Sequence, residues 1–382
     1  LHRPLESGDT RSALAAARGL GAELVAETPA LWRIRGAGPA PRAHGQTIDV
    51  GNSGTTLLIA LGAAALSRGG EIRFDGDAQI RKRSAGNLLE ALETLGARPR
   101  AEGPDGCCPI VMRGTLRGGA VSIECPTSQF LTSLLINTPL AAGETTIRVP
   151  LLYEQPYVHM TLQWLRDLGL RVDHADDLST FAVPGGQRVP AFEKAIPADF
   201  SSATFFLCAA AFTGSELLLQ GLDMDAPQGD KAVVDYLRAM GAILTVEDDG
   251  LRVHGGTALC GADLDLNATP DALPAMAVTA ACARGTTRLA NVPQARLKET
   301  DRIALMAREL GRLGARVRER DDGLEIEGGT LEGGDVSGHG DHRIVMAFAV
   351  AGLGARGPVI VDTAEAAAVT FPDFTALLQS VG

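Results

Sequence analysis

The sequence predicts an α/β protein of two domains, each containing three small modules of helices and strands. The chain has 382 residues, which is long for one hydrophobic core. A helical apolar segment followed by a strand-like run recurs along it, and a glycine separates the two each time. These glycines lie at intervals of 72 to 75 residues and are Gly21, Gly96, Gly169, Gly241 and Gly314.

Each of these glycines is expected to end a helix. Helices commonly stop on a residue of left-handed conformation, which glycine adopts without a steric penalty. Gly382 lies 68 residues after Gly314 and completes a sixth copy of the module. The segment VPAFEKAIPAD, residues 189–199, carries two prolines and precedes a new apolar helix. We therefore predict domains at residues 1–196 and 197–382, with a shortened first module.

The composition argues against several classes of function. Lys and Arg total 35 against 46 Asp and Glu, a net charge of −11, and only 4% of residues are aromatic. A nucleic-acid or anionic-membrane surface needs an excess of cations, so neither partner is expected. The six cysteines lack zinc-site spacing, and no apolar stretch suits a membrane span. We expect a cytoplasmic monomer with reduced cysteines, no cofactor and no structural metal.

Two polar runs in the last quarter of the chain are its most informative feature. RLKETDR spans residues 296–302 and HGDHR spans residues 339–343. Together they contain four cationic side chains, three carboxylates and two imidazoles. Because the protein is acidic, an anionic substrate would need a local basic pocket, and these runs are predicted to form one. A run such as KETDR taken alone could equally be a solvated helix face.

Three loops in the N-terminal half each precede a helix-forming segment and offer hydrogen-bond donors. They are residues 51–56 (GNSGTT), residues 81–83 (RKR) and residues 127–129 (TSQ). Backbone amides at a helix N-terminus favour phosphate or carboxylate, and an arginine there can bind either group through two hydrogen bonds. Ordinary helix capping by Ser53 or Thr55, and simple exposure of the three cations, are the alternatives.

Two aspartates of the C-terminal half also precede apolar helices. Asp271, in NATPDALPAMAV, could either stabilise a first helical turn or act as a base toward a substrate. Spacing does not decide between these roles. For Asp199, in ADFSSATFF, we favour a structural role in which Asp199 and Ser201 fix the start of the helix.

Nine segments occur in one order along the chain: GNSGTT, the arginine loop, TSQFLTSLL, PYVHMTL, DFSSATFF, PDALPAMAV, KETDRI, GDHRIVMAFAV and TFPDF. This order resembles the enolpyruvyl transferases, and among them the branch whose acceptor is shikimate 3-phosphate. The resemblance implies two domains, each of three βαβαββ units about a pseudo-threefold axis, an arrangement described as an inside-out α/β barrel. It also implies an active site in the cleft between the domains.

The resemblance implies transfer of the enolpyruvyl group of phosphoenolpyruvate to the 5-hydroxyl of shikimate 3-phosphate, with release of phosphate, in the pathway to chorismate and aromatic amino acids. By motif, Asp271 would accept the hydroxyl proton and Glu299 would exchange protons at the methylene carbon. The residues implied for phosphoenolpyruvate are Gly54, Arg83, Arg302 and Arg343. Those implied for shikimate 3-phosphate are Thr127, Ser128, Gln129, Tyr157, Asp271, Gln294 and Lys298.

The chain also departs from the family pattern. We expect the family's first βα segment to be absent, and hence weak or no turnover unless the catalytic lysine of that segment is supplied. Leu58, Ser84 and Val369 stand where members often have arginine, proline and lysine. Glu154 replaces a serine that binds the acceptor phosphate, and its charge would repel that phosphate.

Two arrangements could relieve this repulsion: Glu154 could face away from the phosphate, or it could pair with Arg81 or Lys82.

Two other functions are also open. An enolpyruvyl transferase for a different hydroxyl, such as that of UDP-N-acetylglucosamine, carries a reactive cysteine in the loop equivalent to residues 76–83, where this chain has none. A catalytically inactive scaffold is the second alternative, and the intact acids and arginines of the two polar runs argue against it.

Overall fold

The computed structural model describes nearly the whole chain, namely residues 1–38, 40–41 and 45–381. The chain divides into two compact units, an N-terminal unit of Leu1–Ile196 and a C-terminal unit of Pro197–Gly382. Gly382, predicted to complete the sixth module, lies outside the described residues. In the described part of the chain, no helix combines the length and the apolar character that crossing a membrane requires.

The N-terminal unit alternates helices and strands. Its α-helices are α1 (Gly8–Gly19), α2 (Gly54–Ala64), α3 (Gly86–Thr94), α4 (Ser128–Asn137) and α5 (Gln155–Asp167). Its strands are β1 (Glu23–Thr28), β2 (Leu31–Arg35), β3 (Thr47–Asp49), β4 (Ile72–Asp75), β5 (Ala97–Ala101), β6 (Ile110–Gly114), β7 (Gly119–Ser122), β8 (Thr145–Arg148), β9 (Asp173–His174) and β10 (Thr180–Val183). Short 3₁₀ turns lie at Ile80–Lys82, Pro104–Gly106 and Thr138–Leu140.

The C-terminal unit alternates in the same way. Its α-helices are α6 (Phe200–Thr213), α7 (Ala232–Ala239), α8 (Leu273–Cys282), α9 (Arg302–Arg312), α10 (His342–Ala351) and α11 (Phe374–Val381). Its strands are β11 (Leu217–Gln220), β12 (Ile243–Glu247), β13 (Gly250–His254), β14 (Asp263–Asp265), β15 (Thr286–Ala290), β16 (Arg316–Arg320), β17 (Gly323–Glu327), β18 (Gly334–Val336) and β19 (Val359–Val361). Its 3₁₀ turns are Gly229–Lys231, Pro270–Ala272, Pro293–Leu297 and Ala364–Val369.

Three modules share one complete βαβαββ topology, as the resemblance implied. In residues 47–114, β3 runs parallel to β4, β4 is antiparallel to β6, and β6 is antiparallel to β5. The sheets within residues 119–183 and 263–327 repeat this strand order and these directions. A parallel pair needs a crossover connection, which α2, α4 and α8 provide.

The other three modules are partial in the described residues. The first contributes α1 and the hairpin β1–β2, and the fourth contributes α6, α7 and the sheet β11–β13–β12. The sixth contributes the parallel pair β18–β19, joined by α10. The predicted α/β fold is therefore confirmed, with three of the modules carrying the full four-stranded sheet.

The marker glycines lie where the repeat predicted them. Each follows a helix just before the next strand, with φ between 72° and 105°. Gly96, for example, follows α3, and its amide donates to the carbonyl of Glu93 at 2.9 Å. Residues with a side chain rarely adopt this conformation, so glycine sets the end of the helix in each module.

Largely apolar helices form the inside of each unit. In the C-terminal unit α6, α8 and α10 pack on one another, and in the N-terminal unit α2 packs on α4. These helices are apolar on nearly every side, which requires enclosure, whereas α3, α5, α7 and α9 each keep a polar face. The candidate residues Gly54, Ser128, Asp271 and Arg343 all lie within about one turn of the start of a crossover helix.

Candidate active site

Each unit contains one group of polar side chains drawn from the predicted motifs. The ionic cluster of the C-terminal unit consists of Asp271, Lys298, Glu299, Arg302, Asp341, His342 and Arg343. The helix-end site of the N-terminal unit consists of Gly54, Thr55, Arg83, Thr127, Ser128, Gln129 and Glu154. The predicted residues Gln294 and Tyr157 are outside both groups as defined.

Arg302 is the centre of the ionic cluster. It begins α9 and is only 1% exposed. Within the described residues it donates hydrogen bonds to three carboxylates: Asp341 (2.9 and 3.1 Å), Asp271 (2.8 Å) and Glu299 (2.6 Å). Burial alone would lower the pKa of Arg302, but these carboxylates outweigh it and raise the pKa. The charged guanidinium therefore fixes three acids relative to one another.

Asp341 holds the buried arginine in place. Its carboxylate is fully buried and binds Nε and Nη2 of Arg302. It also accepts from the Thr300 hydroxyl at 3.0 Å and from the Arg343 amide at 2.9 Å, where it caps α10. Sequence reasoning missed Asp341 as a site residue. The acid of GDHR was visible, but nothing in the sequence paired it with an arginine 39 residues earlier.

Asp271 faces three cations. It lies in the 3₁₀ turn Pro270–Ala272 that leads into α8. Besides contacting Arg302, its carboxylate lies 3.2 Å from Nη2 of Arg343 and 3.8 Å from Nζ of Lys298. Burial would raise its pKa, but Arg343, Lys298 and Arg302 together hold the pKa well below its ordinary range. Asp271 is therefore ionised at neutral pH, and its basicity depends on the cations around it.

The KETDR run supplies further site residues. Lys298 and Glu299 keep side-chain exposures of only 12% and 14%, so the run is not a solvated helix face. Gln294 lies in the preceding 3₁₀ turn and is 1% exposed. Its Nε2 donates to the Asn267 carbonyl at 2.9 Å, which fixes the amide in the interior of the C-terminal unit.

His342 opens α10 and is 5% exposed. Burial lowers its pKa to about 4. Glu299 and Asp341 act against this shift, whereas Arg343 and Arg302 add to it. The imidazole is therefore uncharged at neutral pH, unlike the cations beside it. Sequence reasoning counted this histidine but assigned it no role.

Two other acids of the motifs hold the framework. Asp301 caps α9 by accepting from the Ala304 amide at 3.0 Å, and it binds Arg296 at 2.8 Å. Asp199 caps α6 and accepts from the Ser201 amide at 3.0 Å, which is the structural role expected for it. The motifs thus contain residues that fix helix starts as well as residues of the ionic cluster.

In the helix-end site, Arg83 lies directly against the start of α2. A Cβ atom on Gly54 would be 2.5 Å from both Cζ and Nη1 of Arg83, closer than real contacts allow. The absence of a side chain at Gly54 therefore lets the guanidinium reach the helix end. Ser53 caps the same helix by accepting from the Thr56 amide at 3.3 Å, so capping and the approach of Arg83 occur together.

Glu154 is buried, and its carboxylate lies at the start of α4. Its Oε2 accepts from the Ser128 amide (3.1 Å), the Ser128 hydroxyl (2.8 Å) and the Thr127 hydroxyl (3.4 Å). The side chain thus turns toward the predicted phosphate-binding residues and does not face away from them. Arg81, one of the two cations considered as its partner, binds Asp75 through Nε and Nη2 at 2.9 and 2.6 Å.

A hydrogen bond joins the two helix starts of this site. Nε2 of Gln129 donates to the Thr55 hydroxyl at 2.7 Å. Leu58, which stands where arginine is common, is 6% exposed and belongs to the hydrophobic core. Tyr157 lies in the first turn of α5 and is half-buried, and its amide donates to the Glu154 carbonyl at 3.1 Å.

The ionised carboxylate of Asp271 lies beside guanidinium and ammonium groups, so this part of the C-terminal unit offers both a proton acceptor and cations suited to an anionic ligand. The profile of the EPSP synthase (3-phosphoshikimate 1-carboxyvinyltransferase) family matches residues 1–378. A 3-phosphoshikimate 1-carboxyvinyltransferase of Acetivibrio thermocellus is 47% identical over 382 residues, covering 100% of this chain and 89% of that protein. One of Methanocella arvoryzae is 42% identical, covering 99% and 89%.

Among solved structures, EPSP synthase from Acinetobacter baumannii matches with a TM-score of 0.82 and 29% identity, covering 99% of this chain and 88% of that chain. This chain therefore belongs to the EPSP synthase family, as its motifs predicted. The named relatives favour the branch that uses shikimate 3-phosphate over the branch that uses UDP-N-acetylglucosamine, and over an inactive scaffold.

Proposed function

We propose that this chain transfers the enolpyruvyl group of phosphoenolpyruvate to the 5-hydroxyl of shikimate 3-phosphate and releases phosphate. The observation that carries the proposal is the surroundings of Asp271: an ionised base lies within 3.8 Å of Arg302, Arg343 and Lys298. Such a group can accept a hydroxyl proton, while adjacent cations can hold the carboxylate and phosphate of phosphoenolpyruvate. Family membership supplies the acceptor.

The proposed reaction has two steps. In the addition, the acceptor oxygen bonds to C2 of phosphoenolpyruvate, Asp271 takes the hydroxyl proton, and the methylene carbon gains a proton. In the elimination, the bond from C2 to the phosphate oxygen breaks, phosphate leaves, and the methyl carbon formed in the addition loses a proton to restore the double bond. We assign the proton exchange at carbon to Glu299, which Arg302 holds at 2.6 Å. Positioned acids and bases each contribute about 10²- to 10⁴-fold.

Substrate binding would change the basicity of Asp271. Arg343 and Lys298 now lower its pKa. When these cations also bind the anionic groups of phosphoenolpyruvate, their effect on Asp271 is offset and its pKa rises. Arg302, which the motifs assign to phosphoenolpyruvate, already binds three carboxylates and so acts first by positioning Asp271 and Glu299.

The remaining residues are assigned to binding. Arg83 and Arg343 carry guanidinium groups suited to the carboxylate and phosphate of phosphoenolpyruvate. The residues assigned to shikimate 3-phosphate are Thr127, Ser128, Gln129, Tyr157, Gln294 and Lys298. The partners are two small molecules, acting with a protein that we propose is a monomer.

The test is phosphate release from phosphoenolpyruvate plus shikimate 3-phosphate. We expect Asp271→Asn to lower kcat by about 10²- to 10⁴-fold, because the amide keeps the shape but cannot accept the proton. Since the motifs indicate a need for a catalytic lysine, the assay uses both this chain and a fusion with the N-terminal segment of a curated relative.

Asp263→Asn is the matched control, because Asp263 is an exposed acid in β14 of the same unit. It should leave kcat unchanged. An Asp271→Asn protein with the natural kcat would contradict the assignment of the base. Folded protein that releases no phosphate in either form would contradict the proposed reaction.

A further inference from the structure

The carboxylate of Glu154 occupies the donors that the proposed function assigns to the acceptor phosphate. Three donors from Ser128 and Thr127 converge on its Oε2 within 3.4 Å. Ser128 begins α4, so its amide has no partner within the helix. An anion is therefore already bound at this helix end, and it belongs to the chain itself.

The backbone at Glu154 directs the side chain to this position. Glu154 precedes α5 with φ 60° and ψ 39°, a left-handed conformation that is uncommon for a residue with a side chain. The carboxylate does not cap its own helix, and the residue is only 2% exposed. Because such a conformation persists only where the surrounding structure imposes it, the contact with α4 is built into the fold.

We propose that Glu154 is an internal competitor for the acceptor phosphate and that it sets the affinity of this chain for shikimate 3-phosphate. The inference rests on the proposed function. Two anions cannot both use the donors of Ser128 and Thr127, because like charges repel strongly in a buried site. The phosphoryl group must therefore displace the carboxylate. An acceptor without phosphate does not face this competition.

The test compares Glu154→Ser and Glu154→Gln with the natural chain by calorimetric titration with shikimate 3-phosphate and with unphosphorylated shikimate. Apparent affinity falls in proportion to the fraction of protein that is competent to bind. If the Glu154 carboxylate leaves the donors of Ser128 and Thr127 about one-tenth of the time, binding of shikimate 3-phosphate is about tenfold weaker. Glu154→Ser should thus bind shikimate 3-phosphate about tenfold more tightly. Its affinity for shikimate should change less than about twofold by the same argument.

Glu154→Gln gives an intermediate gain, because its neutral amide oxygen still accepts from Ser128 but no longer repels the phosphate. It also decides the question if Glu154→Ser does not fold, as judged by thermal unfolding. Glu124→Gln is the matched control: Glu124 is an exposed acid three residues before Thr127, and its loss removes the same charge from this segment. The control should bind both ligands as the natural chain does.

Three results would overturn the inference: unchanged affinity for shikimate 3-phosphate in both Glu154 variants, weaker affinity in both, or an equal gain for shikimate and shikimate 3-phosphate. An equal gain would mean that Glu154 affects the whole site and not the phosphate. If no folded form binds shikimate 3-phosphate, the proposed function itself is contradicted. The competition is supported if the variants bind shikimate 3-phosphate more tightly than the natural chain does but bind shikimate equally well.

Discussion

The ionic cluster and the helix-end site hold polar groups in different ways. In the ionic cluster, charges are neutralised by other charges: Arg302 binds three carboxylates, and Asp271 faces three cations. In the helix-end site, the carboxylate of Glu154 is bound by hydroxyl and amide groups of Ser128 and Thr127.

The difference determines how each region responds to change. A buried ion pair that loses one partner leaves the other charge without compensation, which is costly. The hydroxyl and amide donors of Ser128 and Thr127 can bind another anion in place of the Glu154 carboxylate at a smaller cost. Substitutions in the ionic cluster should therefore lower stability, whereas substitutions in the helix-end site should mainly alter ligand affinity.

The largest effect is expected for Arg302→Met, which tests this comparison directly. The fully buried Asp341 would lose its bidentate partner, and Glu299 and Asp271 would each lose a hydrogen bond. We expect the free energy of unfolding to fall by about 3–5 kcal/mol, the typical cost of breaking a buried pair. Urea unfolding followed by circular dichroism measures this, and phosphate release should be abolished.

Arg316→Met is the matched control for this substitution. The side chain of Arg316 is 81% exposed and pairs with Glu327 across the β16–β17 hairpin. Exposed pairs contribute little, so its unfolding curve should nearly overlay that of the natural chain. If Arg302→Met were no more destabilised than Arg316→Met, the ionic cluster would not be the stabilising network described here.

The second-largest effect is expected for His342 of the ionic cluster, and it depends on pH. Burial lowers the pKa of His342 to about 4 from an ordinary 6.5. Between pH 4 and pH 6.5 the imidazole binds a proton more readily in the unfolded chain than in the folded chain. The contribution of His342 to the free energy of unfolding is therefore complete above about pH 6.5 and falls as the pH decreases toward 4. From pH 7 to pH 5 the loss is about 2 kcal/mol.

His342→Gln removes this titration while keeping a polar side chain of similar size. Urea unfolding at pH 7 and pH 5 should show that the natural chain loses about 2 kcal/mol more than the variant. Equal losses in both proteins would mean that His342 is protonated as easily in the folded chain as in the unfolded chain.

The sequence predicted the fold well because the fold repeats. Five marker glycines at nearly equal intervals gave the module, and each has the left-handed conformation that was expected of it. Strand pairing was less accessible: the hairpin β1–β2 joins neighbouring strands, but the parallel pair β18–β19 joins strands on either side of α10, and no local pattern encodes that contact.

The sequence predicted which residues form the candidate site but not which of them pair with one another. The polar run at residues 296–302 named Glu299 and Arg302, the segment NATPDALPAMAV named Asp271, and these residues do meet. The pairing of Arg302 with Asp341 spans 39 residues and joins the starts of two helices, so it required the fold. The position of Glu154 was likewise open, since its direction is set by a left-handed backbone that is rare for glutamate.

The smallest effect is expected for Gly54→Ala, which tests whether the helix-end site is shaped for its ligand. The new Cβ would lie 2.5 Å from Cζ of Arg83, so the guanidinium must move. Arg83 is only half-buried, so its guanidinium can shift with little change in stability, but we expect the charged hydrogen bond that we assign to phosphoenolpyruvate to be lost. At about 1.5 kcal/mol, that loss raises KM for phosphoenolpyruvate about tenfold.

Steady-state phosphate release at varied phosphoenolpyruvate measures this change, and Gly69→Ala is the matched control. A Cβ at Gly69, in the connection after α2, meets no atom within 4 Å, so its KM should equal that of the natural chain. A similar rise in both variants would mean that the effect does not depend on the contact of Gly54 with Arg83. A lower kcat at unchanged KM would mean that Arg83 acts on the reacting atoms, and the helix-end site would then resemble the ionic cluster in function.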